Sequence, residues 1–184
     1  MKQRALFLDR DGVINLDCGY VHRSEEVVFI EGIFDLTRQA RHCGYRVVVV
    51  TNQSGIGRGL YTEPQFHQLT AWMQAEFARQ GGTIDAVYFS PYHPTEGIGP
   101  YRREDPSRKP GPGMILEAQR AFELDLAASL LIGDRPTDIQ AGLAAGVGTN
   151  LLFAPHPLDK PPETPCTVIS TLRAAWPFLR ELQA

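Results

Sequence analysis

The sequence predicts an α/β domain with a Rossmann-like parallel sheet and helices on both faces. Short apolar runs that suit strands alternate with stretches of helical periodicity, which is the pattern of a parallel sheet with crossover helices. Residues 45–50 form a continuous, largely β-branched run, as expected for a strand buried on both faces. The chain has 184 residues, 43% of them hydrophobic and 21% charged, which fits one globular domain over residues 1–184.

In the first half of the chain, the pattern predicts three strands and two helices. The strands are expected over residues 4–8, 45–50 and 84–89, and a Gly-rich loop over residues 54–59. The second helix begins after Thr62, because Thr62 and Gln65 form a capping box with Pro64 in the first turn. Gly44 ends the first helix, whose inward face is Ile33, Leu36, Ala40 and Cys43. The second helix buries Phe66, Leu69, Trp72, Met73 and Phe77.

The second half continues the alternation. Strands are expected over residues 130–132, 147–153 and 167–170, and a helix over residues 114–122. A further helix faces inward through Ile139 and Leu143, and a last one through Leu172, Leu179 and Leu182. Residues 90–112 contain six prolines and are expected to form a long irregular loop, which in a compact domain is usually functional.

The composition favours a cytoplasmic protein that binds neither nucleic acid nor membrane. The formal net charge is only -3, so no basic surface is expected, and no apolar run is long enough to span a bilayer or to act as an export signal. The three cysteines, Cys18, Cys43 and Cys166, form no paired spacing, which indicates a reducing compartment. We expect a monomer that acts on a small molecule.

Polar residues follow the predicted strands at the points where the strands end. Ligands of open α/β sheets bind beyond those carboxyl ends. The i, i+2 spacing of Asp9 and Asp11 can place both carboxylates on one side of the backbone, and Asp134 could complete an oxygen site for Mg²⁺. Three carboxylates this close would repel one another without a cation. The residues expected at this rim are Asp9, Asp11, Thr51, Asn52, Arg108, Lys109 and Asp134.

The order of these motifs resembles the haloacid dehalogenase superfamily of aspartate-nucleophile phosphatases. The matching stretches are LFLDRDGVIN, VVVVTNQSGIGRG, SRKPGPGM and LIGDRPTDIQAG. Within it, DCGYVH, TNQSGIGRG and RKPGPGM are most similar to the D-glycero-D-manno-heptose-1,7-bisphosphate 7-phosphatases, which implies hydrolysis of the 7-phosphate in the supply of lipopolysaccharide precursors. The histidinol-phosphate phosphatases share the Arg-Lys-Pro element and a segment like GDRPTDIQ. That activity, or a broader small-molecule phosphatase, is the alternative.

The resemblance implies a haloacid-dehalogenase-like fold and a role for each rim residue. Asp9 would be the nucleophile that forms an aspartyl-phosphate, and Asp11 the general acid and base. Mg²⁺ would be held by the Asp9 carboxylate, the Asp11 backbone carbonyl and Asp134. Thr51 and Lys109 would donate to the phosphoryl oxygens. No cap domain is expected, because the segment of residues 12–31 is too short to hold one.

Further residues are implied to support the site or to face the substrate. Asp138, four residues after Asp134, is expected to orient Lys109. A bidentate arginine could recognise a second, non-reacting phosphate. The substrate-facing set is Asp17, Cys18, Gly19, Tyr20, Asn52, Gln53, Ser54, Arg108 and Arg135.

The long loop departs from the pattern of the resembled group. Many members hold this loop with a structural zinc bound by Cys and His. The corresponding positions here are Ser90, Tyr92, Asp105 and Ser107, and His93 is nearby. We therefore expect no zinc, with the prolines partly replacing the constraint by limiting the freedom of the unfolded loop.

A phospho-acceptor signalling module is the alternative from a different class of protein. Such a module also uses an acidic pocket, Mg²⁺, Thr and Lys on a parallel sheet. Its acceptor aspartate would follow a middle strand of the sequence, whereas Asp9 and Asp11 both follow the first strand. Sustained multiple turnover with release of inorganic phosphate would exclude this alternative.

Overall fold

The computed structural model describes residues 2–179, which contain a six-stranded parallel sheet. The strands lie in the order β3-β2-β1-β4-β5-β6. β1 is therefore central, with β2 on one side and β4 on the other. From β1 to β3 the chain adds strands on one side of β1, and from β4 onward it adds them on the other side. That reversal opens a crevice at the carboxyl ends of the strands. The strands are β1 Arg4–Leu8, β2 Tyr45–Asn52, β3 Ala86–Ser90, β4 Leu130–Gly133, β5 Thr149–Phe153 and β6 Thr167–Ile169.

The helices begin and end with the local signals that the sequence carries. Thr62 Oγ1 accepts a hydrogen bond from the Gln65 backbone N–H at 3.4 Å, and the Gln65 side chain accepts from the Thr62 N–H at 2.8 Å. Gly44 follows the first helix at a φ of 78°, which suits glycine. No helix of residues 2–179 is long and apolar enough to cross a membrane. The helices are α1 Ile33–His42, α2 Ser54–Gly57, α3 Glu63–Arg79, α4 Gly113–Phe122 and α5 Pro136–Ala145, with 3₁₀-helices at Ser24–Glu26, Gly99–Tyr101 and Leu172–Phe178.

Apolar side chains fill both faces of the sheet. Leu6 and Leu8 of β1 pack in one cluster with residues of α1 and α3. Ala5 and Phe7, which point to the opposite face, pack in another with residues of α4 and α5. This alternation confirms the predicted sheet with helices on both faces.

Three details differ from the sequence-based expectations. Leu143 is 44% exposed rather than inward-facing, because Gly142 is the residue that meets the sheet: a Cβ there would lie 2.0 Å from Asn150 Oδ1. The expected loop at residues 54–59 begins with the helical turn α2. The last helix is a 3₁₀-helix that contains Pro177, and the expected inward Leu182 lies outside the described residues.

The connections that border the sheet's carboxyl edge are mostly irregular. Residues 9–32, between β1 and α1, contain one 3₁₀-helix. The segment after β3 is also irregular up to α4, apart from Gly99–Tyr101, as its prolines predict. Both segments therefore offer side chains and backbone to the crevice.

Candidate active site

A cavity of about 600 Å³ opens at the carboxyl ends of β1 and β2. Most residues of the expected site line it. These are Asp9, Asp11, Asp17, Gly19, Tyr20, Thr51, Asn52, Gln53, Ser54, Arg108, Lys109, Arg135 and Asp138. The cavity wall also contains Gly55, Arg58, Tyr61, Pro136 and Thr137, which the sequence analysis did not single out.

Three carboxylates meet beside this cavity: Asp9 and Asp138 line it, whereas Asp134 lies next to them and is not among the lining residues. Oxygens of Asp9, Asp134 and Asp138 lie within 4.8 Å of one another. The sheet brings the first two together, because Asp9 directly follows β1 and its backbone N–H donates to the carbonyl of Ile132 in β4 at 3.1 Å. Gly12 permits the close approach: its φ is +92°, and a Cβ there would lie 2.2 Å from Asp134 Oδ2.

The electrostatics of this cluster suit a divalent cation. Asp134 Oδ1 is buried and has no hydrogen-bond partner among residues 2–179. Burial raises the pKa of the Asp134 carboxyl to about 6, and the Asp138 charge contributes to the rise. Burial likewise raises the pKa of Asp9 to about 7, against the opposing charge of Lys109. A hard cation such as Mg²⁺ would satisfy these oxygens in their ionised form.

Lys109 connects two of the carboxylates. Its Nζ lies 2.9 Å from Asp9 Oδ1 and 2.6 Å from Asp138 Oδ1, and it donates to the Val50 carbonyl at 2.9 Å. Burial alone would lower the pKa of Lys109, but the two carboxylates more than offset this and raise it. Asn52 fixes the Lys109 backbone: Asn52 Oδ1 accepts a hydrogen bond from the Lys109 N–H at 3.0 Å, and Asn52 Nδ2 donates to the Lys109 carbonyl at 3.1 Å. The ammonium is therefore a fixed positive charge beside Asp9.

Asp11 is held apart from this cluster by three neutral or cationic donors. The guanidinium of Arg10, which is buried, donates to both carboxylate oxygens, with a closest distance of 2.8 Å. Asn15 Nδ2 donates to Oδ1 at 3.0 Å, and Gln53 Nε2 donates to Oδ2 at 2.9 Å. The Asp11 carboxylate is not a member of the three-carboxylate cluster. The expectation that Asp11 holds a metal through its backbone carbonyl, rather than its carboxylate, is compatible with this arrangement.

Hydrogen bonds join Ser90, Asp105 and Ser107, three of the positions that correspond to zinc ligands in the resembled group. Ser107 Oγ donates to Asp105 Oδ1 at 2.7 Å and lies 3.0 Å from the buried Ser90 Oγ at the end of β3. Burial opposes ionisation of Asp105, but the hydrogen bonds from Ser107 hold its pKa below the usual range. The next residue, Arg108, donates from Nη1 to the Tyr92 carbonyl at 3.0 Å. These contacts fix the loop that carries Arg108 into the cavity.

At the rim, Arg135 Nη2 lies 2.6 Å from Asp17 Oδ2, so two of the expected substrate-facing residues form an ion pair with each other. Cys18 is exposed and is not among the residues that line the cavity. The sequence analysis missed Arg58 and Tyr61, which lie beyond α2. A signal for them exists in the glycines of that segment: a Cβ on Gly55 would lie 2.2 Å from Tyr61 Cε1, so this glycine marks a close approach.

Comparisons with known proteins agree with this geometry. A family model described as HAD-hydrolase-like matches residues 106–175. The chain is 54% identical to the D-glycero-alpha-D-manno-heptose-1,7-bisphosphate 7-phosphatase of Burkholderia mallei, over 97% of this chain and 95% of that protein. It is 46% identical to the D-glycero-beta-D-manno-heptose-1,7-bisphosphate 7-phosphatase of Vibrio cholerae, over 92% and 91% of the two chains.

Solved structures agree as well. The D,D-heptose 1,7-bisphosphate phosphatase of B. bronchiseptica, crystallised with magnesium and phosphate, matches with a TM-score of 0.79 and 30% identity over 96% of this chain and 98% of that one. A HAD-like phosphatase from Mesorhizobium loti matches with a TM-score of 0.87 and 34% identity, over 99% and 90%. The resemblance read from the motifs is thereby confirmed. The chain belongs to the D-glycero-D-manno-heptose-1,7-bisphosphate 7-phosphatase family of the haloacid-dehalogenase-like hydrolases.

Proposed function

We propose that this protein is a Mg²⁺-dependent phosphatase that removes the 7-phosphate from D-glycero-D-manno-heptose 1,7-bisphosphate. The observation that carries the proposal is the Asp9 carboxylate at the cavity floor, 2.9 Å from Lys109 Nζ and clustered with Asp134. The names of the relatives support the substrate. We further propose that residues 1–184 act as one capless domain, as a monomer in the cytoplasm.

In the first step, a carboxylate oxygen of Asp9 attacks phosphorus and forms an aspartyl-phosphate. The bond from phosphorus to the sugar oxygen breaks, and that oxygen takes a proton from Asp11. Acid catalysis of this kind is worth about 10²–10⁴ in rate. Splitting the displacement into two steps lowers the barrier of each.

The charge that spreads over the phosphoryl oxygens needs fixed donors. The Lys109 ammonium already forms ion pairs with Asp9 and Asp138 and donates to the Val50 carbonyl. When Asp9 becomes an acyl phosphate, its carboxylate loses its negative charge, and the Lys109 proton that faced Asp9 can turn to an oxygen of the transferred phosphoryl group. Asp9, Asp134 and the Asp11 carbonyl would hold Mg²⁺, which when bound neutralises part of the phosphoryl charge.

In the second step, Asp11 takes a proton from water, whose oxygen attacks phosphorus. The bond between Asp9 and phosphorus breaks, inorganic phosphate leaves, and the Asp9 carboxylate is restored. Arg10 and Asn15 support this step, because their hydrogen bonds hold the Asp11 carboxyl group in place.

The cavity wall favours a bisphosphate over histidinol phosphate. The charge of Arg58 adds to burial in lowering the pKa of Arg108, because the two guanidiniums lie near each other. Both line the cavity that contains Asp9. Arg108, together with Arg58, which also pairs with Glu96, attracts a second phosphate and repels the cationic amine of histidinol phosphate.

The test is a phosphate-release assay that compares kcat/KM for both anomers of the heptose bisphosphate, fructose 1,6-bisphosphate and histidinol phosphate. We expect the highest kcat/KM on a heptose bisphosphate, a requirement for Mg²⁺, and no turnover by Asp9→Asn. A preference for histidinol phosphate would refute the substrate. Unchanged activity of Asp9→Asn would refute the nucleophile. Many turnovers per enzyme would exclude a phospho-acceptor signalling module.

A further inference from the structure

Tyr61 is a buried polar residue of the cavity wall for which the two catalytic steps supply no role. Its side chain is 5% exposed, and its hydroxyl donates a hydrogen bond to Gln53 Oε1 at 2.5 Å. Burial raises the pKa of the Tyr61 hydroxyl to about 12, so this group keeps its proton and acts as a donor. In the structure the Tyr61 hydroxyl is the donor of this hydrogen bond and the Gln53 amide oxygen is the acceptor.

That direction also fixes the orientation of the Gln53 amide. With its oxygen facing Tyr61, the Gln53 Nε2 donates to Asp11 Oδ2 and to Thr51 Oγ1, both at 2.9 Å. The two amide protons are thus both used. A reversed Gln53 amide would turn its N–H₂ toward the Tyr61 hydroxyl and its oxygen toward the Asp11 carboxylate. Two acceptors, the amide oxygen and the carboxylate oxygen, would then face each other.

We propose that Tyr61 is a positioning residue that acts through Gln53 on two catalytic groups, Asp11 and Thr51. The inference rests on the proposed phosphatase activity and deepens it. Because Thr51 Oγ1 accepts from Gln53, its own hydroxyl proton is free to point at a phosphoryl oxygen. Asp11 Oδ2 is held by the same amide, so the acid and the phosphoryl donor keep a constant separation during the reaction.

The packing around Tyr61 is suited to a fixed hydroxyl. On one side its ring stacks on the His22 ring, with centroids 5.2 Å apart and an interplanar angle of 2°. On another side the backbone of Gly55 lies so close that a Cβ there would be 2.2 Å from Tyr61 Cε1. A ring held in this way loses little additional freedom when its hydroxyl donates, so the hydrogen bond is preorganised.

The test compares Tyr61→Phe with the wild type on two substrates that need the acid to different extents. A sugar phosphate leaves as a basic alkoxide that requires a proton from Asp11, whereas p-nitrophenyl phosphate leaves as a stable phenolate that does not. We expect Tyr61→Phe to lower kcat/KM on the heptose bisphosphate by about tenfold more than on p-nitrophenyl phosphate. An equal loss on both substrates, or no loss, overturns the proposal.

Two further variants separate positioning from a general structural effect. Tyr101→Phe is the matched control, since the Tyr101 hydroxyl donates to Glu63 at 2.9 Å outside this network, and we expect it to retain wild-type kcat/KM on both substrates. In a Gln53→Met background, Tyr61→Phe should cause no further loss. A loss as large there as in the wild type overturns the proposal. A wild-type enzyme that hydrolyses neither substrate refutes the proposed function itself, whereas an active wild type with no substrate-dependent effect refutes only the role of Tyr61.

Discussion

Replacing Asp134 with asparagine should stabilise the metal-free protein while abolishing its stabilisation by Mg²⁺. The Asp134 carboxyl has its pKa raised by burial from its ordinary value of 3.8 to about 6. Between these two pH values the native protein binds more protons than the unfolded chain, so the free energy of unfolding falls as the pH rises through this window. Above about pH 6 the Asp134 carboxylate is ionised in both states, and the native protein keeps the whole loss in its free energy of unfolding.

The magnitude follows from that difference in pKa. At about 1.36 kcal/mol for each pH unit, a rise from 3.8 to about 6 corresponds to up to about 3 kcal/mol at pH 8. Asparagine keeps the shape and carries no charge. The Asp134→Asn variant should therefore unfold at higher urea concentration than the wild type in EDTA at pH 8, and the two proteins should converge near pH 4.

With Mg²⁺ present, the order should reverse, because the cation stabilises the ionised oxygens of the wild type and finds one ligand fewer in the variant. The matched control is Asp35→Asn on the exposed face of α1, which should change stability by less than about 0.5 kcal/mol in either condition. A variant less stable than the wild type in EDTA at pH 8, or one that Mg²⁺ stabilises as much as the wild type, would refute the electrostatic argument.

Three further predictions concern the core and the long loop. Phe77→Ala should lower the free energy of unfolding by about 3–5 kcal/mol in urea denaturation, because Phe77 is fully buried; a loss under about 1 kcal/mol would contradict the packing. Ser107→Ala should raise KM for the bisphosphate severalfold with little change in kcat, since the Ser107 hydroxyl fixes the loop beside Arg108; an unchanged KM would argue against that role. Elemental analysis of purified protein should find zinc far below one per chain, and near-stoichiometric zinc would show that the expectation is wrong.

The sequence predicted the strands and the rim residues because both depend on local patterns. The β-branched run before Thr51 marks a buried strand, and Asp9 directly follows the short apolar run of β1, which pairs with that strand in the sheet. The wall of the cavity was not predictable in this way, because it depends on side chains that meet only after folding. Tyr61 reaches Gln53 across a helical turn, and the glycine that makes room for it carries no periodic signal.

Contacts made only in the folded chain also explain what the sequence pattern left out at Asp138 and Leu143. Asp138 was expected to support Lys109, and it does contact it, but the same carboxylate also lies within reach of Asp9 and Asp134. Leu143 fits the helical period of Ile139, yet the helix turns Gly142 to the sheet because that residue permits the closest approach. Periodicity gives the face of a helix only to within the width of one residue.

The position of Asp9 on the central strand accounts for the number of groups that reach it. β1 lies between β2 and β4, so side chains at the carboxyl ends of both neighbours converge on its end: Thr51, within the last residues of β2, from one side, and Asp134, which follows β4, from the other. A residue at the end of an edge strand such as β3 would have only one such neighbour. Lys109 adds a contact from the long loop and bonds the Val50 carbonyl of β2, so the loop is fixed to the same strand that supplies Thr51. Strand order thus sets the number of polar groups around Asp9, and an α/β protein with the same residues but Asp9 at a sheet edge would lack either the proposed phosphoryl donors or the proposed metal ligands.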